Sequence, residues 1–506
     1  MRHLTHKIIA FVTTAVLLTQ AVTLTAFARP DWPSDTGIMA EAGIIMDMDS
    51  KTVLFGQNIH VPYPPASITK LLTALVVTEN CEMDEVVTYS HDAIFNVESG
   101  SGNKLELEDG DTLSVEDSLY AMLLISDNPS ANALAEHTAG SRDAFAEMMN
   151  EKLTELGCRE SHFMNPSGLN DDNQYVSAYD MALIAIAAFQ NEKVLEIASS
   201  RSHFIPATAK RPDGSNIKME HRLLTADDTT SQYYLEGAVA GKTGFTSKAG
   251  NTLVTYAQRD GRNLVSVILK GTQPQYYMDA KTIMNFGFSS FKNKRVSDNE
   301  TFLSEQDRLE ANGAVFPVSE LTLDQQAVIT LPATAEFSDA ERTLLTDLPD
   351  GHPEDAAAML QYTYNGRNIG TTYLYAESLK SAPASSDHAP GAENPSESDA
   401  AGQAEPQPTD DNPAEKETNR PSDRPEKGIN WIAAVSIFSV LALVAGAAVL
   451  FQYRQRKERE ALARRKERRR QRLMESGVSE EEFEALLQKR MQSASAHTGK
   501  KDRKHT

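Results

Sequence analysis

The chain has 506 residues, 71 Asp+Glu against 49 Lys+Arg, 12 His and two Cys. That length exceeds one ordinary core and implies two or three globular units with non-globular segments between or beyond them. Two Cys and no H-E-x-x-H array exclude a recognisable zinc pattern, so no metal or cofactor is expected.

Arg2, His3 and Lys7 precede the apolar run Ile8 to Leu18, and Ala26-Phe27-Ala28 places small residues where a signal peptidase reads. Residues 1–28 are therefore expected to be a signal peptide, cleaved after Ala28, and the protein to be exported. Ala42 to Met48 and Thr52 to Phe55 flank Asp49-Ser50-Lys51 and read as a strand hairpin. From Ser67 to Phe189 the pattern is mostly helical. Pro64-Pro65-Ala66 stiffens the approach to Ser67-Ile68-Thr69-Lys70, and Leu71, Leu72, Ala74, Leu75 and Val76 make the helix that follows a buried one. Val115 to Ile125 is amphipathic, and Pro129 is expected to force Asn128 out of helical geometry. Arg142 to Leu156 closes at Gly157.

Strands return at Ala238 to Phe245, Thr252 to Gln258 and Leu264 to Leu269, the last two joined around Asp260-Gly261. Strands at both ends with helices between predict an α/β (α+β) domain over 29–295, with one antiparallel sheet whose first and last strands meet. Residues 296–380 read as a small β-rich domain, clearest at Leu360 to Tyr364 and Ile369 to Tyr375 around Asn365-Gly366.

Residues 381–428 hold eight Pro, from Pro383 to Pro425, among Ser, Asp and Glu, and are too poor in large apolar residues to fold. Trp431 to Phe451 is 21 residues without a formal charge, so a single transmembrane helix is expected over 429–451. Arg454, Arg456, Lys457 and Arg459 mark its far side as cytoplasmic. Residues 452–506 carry 17 Lys+Arg against 9 Asp+Glu, a net +8 that leaves −30 for residues 1–451 out of −22 overall. Beside a membrane, such a tail is attracted to anionic inner-leaflet lipid and fixes orientation; nucleic acid is not an expected partner.

The chemistry sits in three short stretches: Ser67 to Lys70, Ser126-Asp127-Asn128 and Lys242-Thr243-Gly244. Each is weak alone. Ser-x-x-Lys recurs at Ser101/Lys104, Ser215/Lys218 and Ser289/Lys292, and Ser-Asp-Asn at Ser297 to Asn299, all read as noise for lack of the apolar helix that follows Ser67. A lysine one helical turn after a serine can take its hydroxyl proton. Ser126, at a helix break, can relay a proton to a leaving group, and the Asn128 amide can orient substrate and lysine. Lys242 and Thr243 suit a substrate carboxylate, Gly244 admits a ligand close to the strand, and the Ser67 and Phe245 backbone N–H groups can form an oxyanion hole.

In this order the three stretches resemble the penicillin-binding protein and serine β-lactamase superfamily. Phe163 to Leu169, Ala178-Tyr179-Asp180-Met181-Ala182, and Gly241 to Thr246 followed by Ala249-Gly250 narrow the likeness to the low-molecular-mass D-alanyl-D-alanine carboxypeptidases of the S11 peptidase family, over roughly residues 38–290. The resemblance implies removal of the terminal D-alanine from peptidoglycan stem pentapeptides through an acyl-enzyme on Ser67, with β-lactams as inhibitors. It also implies that Lys70 is the proton acceptor, Ser126 the second serine, Asn128 its neighbour in the relay, and Lys242 the carboxylate contact. Ser126-Asp127-Asn128 stands where the family often has Ser-Gly-Asn, and Ser167 where it often has His. A serine β-lactamase is the nearest rival, disfavoured because Glu160 lies five residues before Asn165 rather than four. A membrane-anchored scaffold with a degenerate site is the other. Whether Cys81 and Cys158 pair is left open.

Overall fold

The computed structural model describes residues 29–34, 36–97, 101–311, 313–349 and 351–380. The expected leader, proline-rich linker, membrane span and basic tail all lie outside these residues. Among the described residues, no helix is long and apolar enough to cross a membrane.

The hairpin forms as expected, with β1 at Ala42–Asp47 and β2 at Val53–Gln57. Every residue of β1 is buried, which a strand achieves only when both faces of its sheet are covered. Alternation of side chains does this: Ile44 and Met46 enter one apolar core while Ile45 between them enters another. The first core is filled by helices from the middle of the chain. These include α1 (Lys70–Asn80), α2 (Val115–Leu124), α3 (Asn128–Ala139), α4 (Arg142–Glu155) and α5 (Ala178–Gln190). The second core lies under α6 (Gln275–Ser290), which contributes Ala280, Ile283 and Met284.

Two small antiparallel ribbons interrupt the helical region, β3 (Val86–Thr88) with β4 (Thr112–Ser114), and β5 (Ser202–Ile205) with β6 (Ser215–Lys218). Neither is evident from periodicity, because three or four residues are too few for alternation to register. The three late strands are β7 (Ala238–Thr246), β8 (Gly250–Arg259) and β9 (Arg262–Gly271). Asp260 and Gly261 both take positive φ, 50° and 75°, in the tight β8–β9 turn. The sheet order is β2-β1-β9-β8-β7, so the ends of the domain meet where β1 pairs with β9, Ile44 opposite Val267. That order leaves β7, which carries Lys242, at an edge.

Beyond α6 come β10 (Phe291–Arg295), β11 (Arg308–Ala311), β12 (Ala314–Pro317), β13 (Leu321–Leu323), β14 (Val328–Pro332), β15 (Glu341–Leu345), β16 (Ala356–Tyr364) and β17 (Arg367–Ala376). β13, β17, β16 and β15 form a four-stranded sheet, with Asn365 and Gly366 at positive φ in the β16–β17 turn. β10 pairs with β14, so this region draws in residues from Phe291 onward. Trp32 ties it to the first sheet: its indole donates to the Leu54 carbonyl at 3.2 Å, and its ring lies 4.9 Å from Phe291 and 6.2 Å from Tyr364.

Candidate active site

Ser67 lies in a short 3-10 turn, Ala66–Thr69, that leads directly into α1. Ala66 takes φ 52°, a left-handed conformation that costs a non-glycine residue strain and is held only by its surroundings. Those surroundings are specific. Thr69 Oγ1 donates to the Ala66 carbonyl at 2.9 Å, and Thr252 Oγ1 of β8 donates to the Pro65 carbonyl at 2.9 Å, which pins the turn to the sheet. A Cβ on Gly244 would stand 2.8 Å from the Ser67 backbone nitrogen and 2.4 Å from Thr252 Oγ1, so only glycine lets β7 come this close to the serine. Ser67 and the Lys242 to Gly244 strand therefore share one cleft. The Phe245 side chain is exposed at its margin.

Lys70 is fully buried. Its Nζ lies 2.7 Å from Asn128 Oδ1, 2.5 Å from the Ser167 carbonyl oxygen and 3.1 Å from Ser67 Oγ. Loss of solvent first, and then the positive charge of Lys242, hold its pKa well below the usual lysine range. A neutral amine has two hydrogens and one lone pair. Two of its three neighbours are carbonyl oxygens that can only accept, so both hydrogens are committed to them and the lone pair faces the Ser67 hydroxyl. The position of the amine follows from helical geometry; its orientation comes from Asn128 and Ser167.

The break before α3 differs from the sequence expectation. Asn128 is the first helical residue, with Pro129 behind it in the first turn, and the left-handed residue is Ser126, at φ 62°. Proline is tolerated in a first turn because its missing N–H would have no helical partner there. Asp127 is the N-cap: its carboxylate accepts from the Ser130 backbone at 3.0 Å and the Ser130 hydroxyl at 2.7 Å, and from the Lys104 backbone at 2.9 Å. Burial nevertheless raises its pKa, outweighing those hydrogen bonds. Asn128 Nδ2 donates to the Ser101 carbonyl at 2.6 Å, which turns its Oδ1 toward Lys70. The Ser101 to Lys104 stretch, set aside as noise, thus lines the site through its backbone. The Ser126 hydroxyl makes no hydrogen bond to a described residue, so the expected relay is not preassembled with Ser67 and Lys70.

Lys242 is buried in β7, donates to the Thr243 carbonyl at 2.9 Å, and has its pKa lowered to about 7, chiefly by desolvation. Lys242, expected as the carboxylate contact, is thus a lysine whose charge is balanced near neutral pH. Glu220 favours that charge and Lys104 opposes it, while Lys104 Nζ pairs with both Glu220 carboxylate oxygens, at 2.7 and 2.8 Å. Each is close to half exposed, so the pair adds little stability but sets a local field. Binding of an anionic substrate weakens as Lys242 loses its proton, giving a descending limb near pH 7. Glu220→Gln is expected to move that limb to lower pH, and Lys104→Ala, which leaves Glu220 unpaired, to higher pH. Profiles of kcat/KM against pH for the two variants check this; shifts in the same direction contradict it.

The roles of two further residues escaped sequence reasoning. His221 is buried beneath β7, its Nε2 3.1 Å from the Val254 carbonyl oxygen, with a pKa lowered to about 4 by burial, so no second charge sits behind Lys242. Gly168, at φ 82°, presses on the turn that carries Ser67: a Cβ there would lie 1.9 Å from the Ala66 carbonyl oxygen. Its neighbour Ser167 supplies the carbonyl that holds Lys70. A backbone contact of this kind leaves no trace in side-chain chemistry. Gly168→Ala is expected to cost stability by several kcal/mol, from both the clash and the backbone strain. Thermal melting and labelling by a fluorescent penicillin check this, and an unchanged melting temperature contradicts it.

Glu160, the residue nearest to a β-lactamase-type general base by position, pairs instead with His60 at 2.9 Å. Cys81 and Cys158 are both free thiols, which closes the question of their pairing.

Residues 29–273 match the model of the peptidase S11 family, described as D-alanyl-D-alanine carboxypeptidase. The chain is similar to D-alanyl-D-alanine carboxypeptidase DacB2 of Mycobacterium tuberculosis, 31% identical over 266 residues, covering 51% of this chain and 84% of that protein. It is also similar to DacF of Bacillus subtilis, 28% identical over 276 residues, covering 53% and 67%. In fold it is similar to penicillin binding protein 5 from Haemophilus influenzae, with a TM-score of 0.53 at 24% identity over 68% of this chain and 98% of that one.

Proposed function

Because the chain belongs to the peptidase S11 family of D-alanyl-D-alanine carboxypeptidases, we propose that its chemistry runs through an acyl-enzyme on Ser67, with Lys70 as the proton acceptor. The reaction is serine-type hydrolysis of a D-Ala-D-Ala terminus, and β-lactams are expected to acylate the same serine. The observation that carries the residue assignment is the placement of Lys70 Nζ 2.7 Å from Asn128 Oδ1, 2.5 Å from the Ser167 carbonyl oxygen and 3.1 Å from Ser67 Oγ, so that in the neutral amine the two carbonyl oxygens take both hydrogens and the lone pair is left for the serine.

The steps follow from that arrangement. Lys70 takes the hydroxyl proton as Ser67 Oγ bonds to the penultimate D-alanine carbonyl carbon, and the backbone N–H groups of Ser67 and Phe245 receive the developing oxyanion. Lys242 and Thr243 hold the terminal carboxylate on the β7 edge. The C–N bond breaks, the proton passes to the leaving amine with Ser126 as its relay, and D-alanine departs. Water then adds to the ester, returning the proton to Ser67 Oγ as the shortened peptide leaves. Closure of the Ser126 hydroxyl onto the amine accompanies substrate binding, since catalytic hydrogen bonds often tighten only in the complex.

The setting we propose is a single-pass membrane protein with its catalytic domain outside the cell and its basic tail inside, supported by the apolar run Trp431 to Phe451 and the Arg-rich stretch after it. Release of D-alanine from a diacyl-Lys-D-Ala-D-Ala peptide, abolished in Ser67→Ala, tests the reaction. No release from either protein leaves the scaffold reading, and rapid nitrocefin turnover without a lasting adduct favours the β-lactamase.

A further inference from the structure

The two helices that bring catalytic groups to the cleft run away from it and end near one another. α1 starts at Lys70 and is followed by Cys81 as its C-cap; α3 starts at Asn128 and carries His137 in its last turn. Between these ends, in the loop before β3, stands Glu85. The Cys81 Sγ, a Glu85 carboxylate oxygen and a His137 ring nitrogen lie within 4.8 Å of one another. One Glu85 oxygen accepts from the Glu82 backbone N–H at 2.7 Å, which fixes the carboxylate, and the other lies 2.8 Å from His137 Nε2. Thr138 Oγ1 donates to the Leu134 carbonyl at 2.8 Å, so in its 3.3 Å contact with Cys81 the thiol is the donor.

We propose that Cys81, Glu85 and His137 form a binding site for a zinc-class divalent cation, with a fourth position open to water, joining the distal ends of the two catalytic helices. Thiolate, imidazole and carboxylate are the three donor types that zinc prefers. Bond lengths of about 2.0–2.3 Å set tetrahedral ligand atoms roughly 3.3–3.8 Å apart, within about 1 Å of the spacing found here. The donor set carries two negative charges once Cys81 is ionised, which neutralises the cation. Binding replaces the thiol proton, releasing one proton to solvent, and exchanges the Glu85–His137 hydrogen bond for two metal bonds. Glu82 then holds the carboxylate in place, and the Thr138 hydroxyl, freed from the thiol proton, turns from the Leu134 carbonyl to donate to the thiolate. Cys158 is not an alternative, since it is buried against the Asp180 carbonyl. The site is invisible in the sequence because its ligands, at 81, 85 and 137, follow no compact metal-binding spacing.

The test uses the full chain, stripped with chelator and titrated with Cd2+ or Zn2+ alone. Cd2+ is expected to produce a thiolate charge-transfer absorption that saturates at one equivalent, persists in Cys158→Ser and is lost in Cys81→Ser. Zn2+ is expected to slow alkylation of Cys81 by about tenfold or more. Fluorescent-penicillin labelling reports whether each variant is folded; if Cys81→Ser is not, His137→Gln, expected to weaken Cd2+ binding at least tenfold, serves in its place. Absence of the band, its persistence without Cys81, or unchanged alkylation in Zn2+ overturns the proposal.

Discussion

Lys70→Met is expected to slow acylation by penicillin by about 10²–10⁴-fold, the usual share of a general base. Lys70→Arg is expected to do the same. The second variant carries the argument, since arginine keeps the charge but cannot give up its proton, so a role for Lys70 as a cation predicts activity where a role as a base predicts none. The wild-type acylation rate should rise with pH on the acid side as Lys70 deprotonates, with its midpoint well below the usual lysine range because burial and Lys242 both disfavour the ammonium. Stopped-flow acylation across pH measures both effects. An active Lys70→Arg variant, or an acylation rate with no acid limb below the usual lysine range, contradicts the assignment.

Lys242→Met is expected to lower kcat/KM for a peptide with a free C-terminal carboxylate by about 10²-fold or more, the cost of removing one partner of a buried charged contact. The effect should fall mainly on KM, and largely vanish for a substrate whose terminal carboxylate is amidated. The same variant should be more stable than the wild type. Below pH 7 the native state bears a buried ammonium that the unfolded chain exposes to water, and between about 7 and the ordinary lysine value of 10.5 the unfolded state binds the extra proton. Wild-type stability therefore rises with pH through that window. Replacing the lysine by an apolar residue of similar length removes the penalty, a gain of about 1–4 kcal/mol at neutral pH by analogy with buried ion replacements. Urea unfolding at pH 6 and pH 9 checks the sign; a destabilised Lys242→Met at pH 6 contradicts it.

How much of this was legible in the sequence depended on whether a feature was carried by side-chain pattern or by backbone. β1, β7, β8 and β9 were readable because they are apolar or β-branched runs bounded by turn residues, Asp49-Ser50-Lys51 after β1 and Asp260-Gly261 between β8 and β9. The closure of the sheet through β1 and β9 followed from strands at both ends with helices between. Ser67, Lys70, Asn128, Lys242 and Gly244 were readable as motif residues, and the structure brings them to one cleft. The Ser101 and Ser167 carbonyls were not readable, because any residue has a carbonyl; only the fold shows that these two face Asn128 and Lys70. Pro129 misled for a related reason. Its preference concerns the residue before it, but the N-cap at Asp127 and the strain at Ser126 move the break two residues upstream. His221 and Glu220 belong to no motif, Lys104 only to a Ser-x-x-Lys read as noise, and all three reach Lys242 only through folding.

The most direct measurement is mass spectrometry of the peptides from protein trapped with a slowly deacylating penicillin. The arrangement of Ser67, Lys70 and the Gly244 strand predicts one adduct per chain, on the peptide containing Ser67, absent from Ser67→Ala and formed slowly in Lys70→Arg. An adduct on Ser126 or Ser101, or none under conditions where the protein is folded, contradicts it.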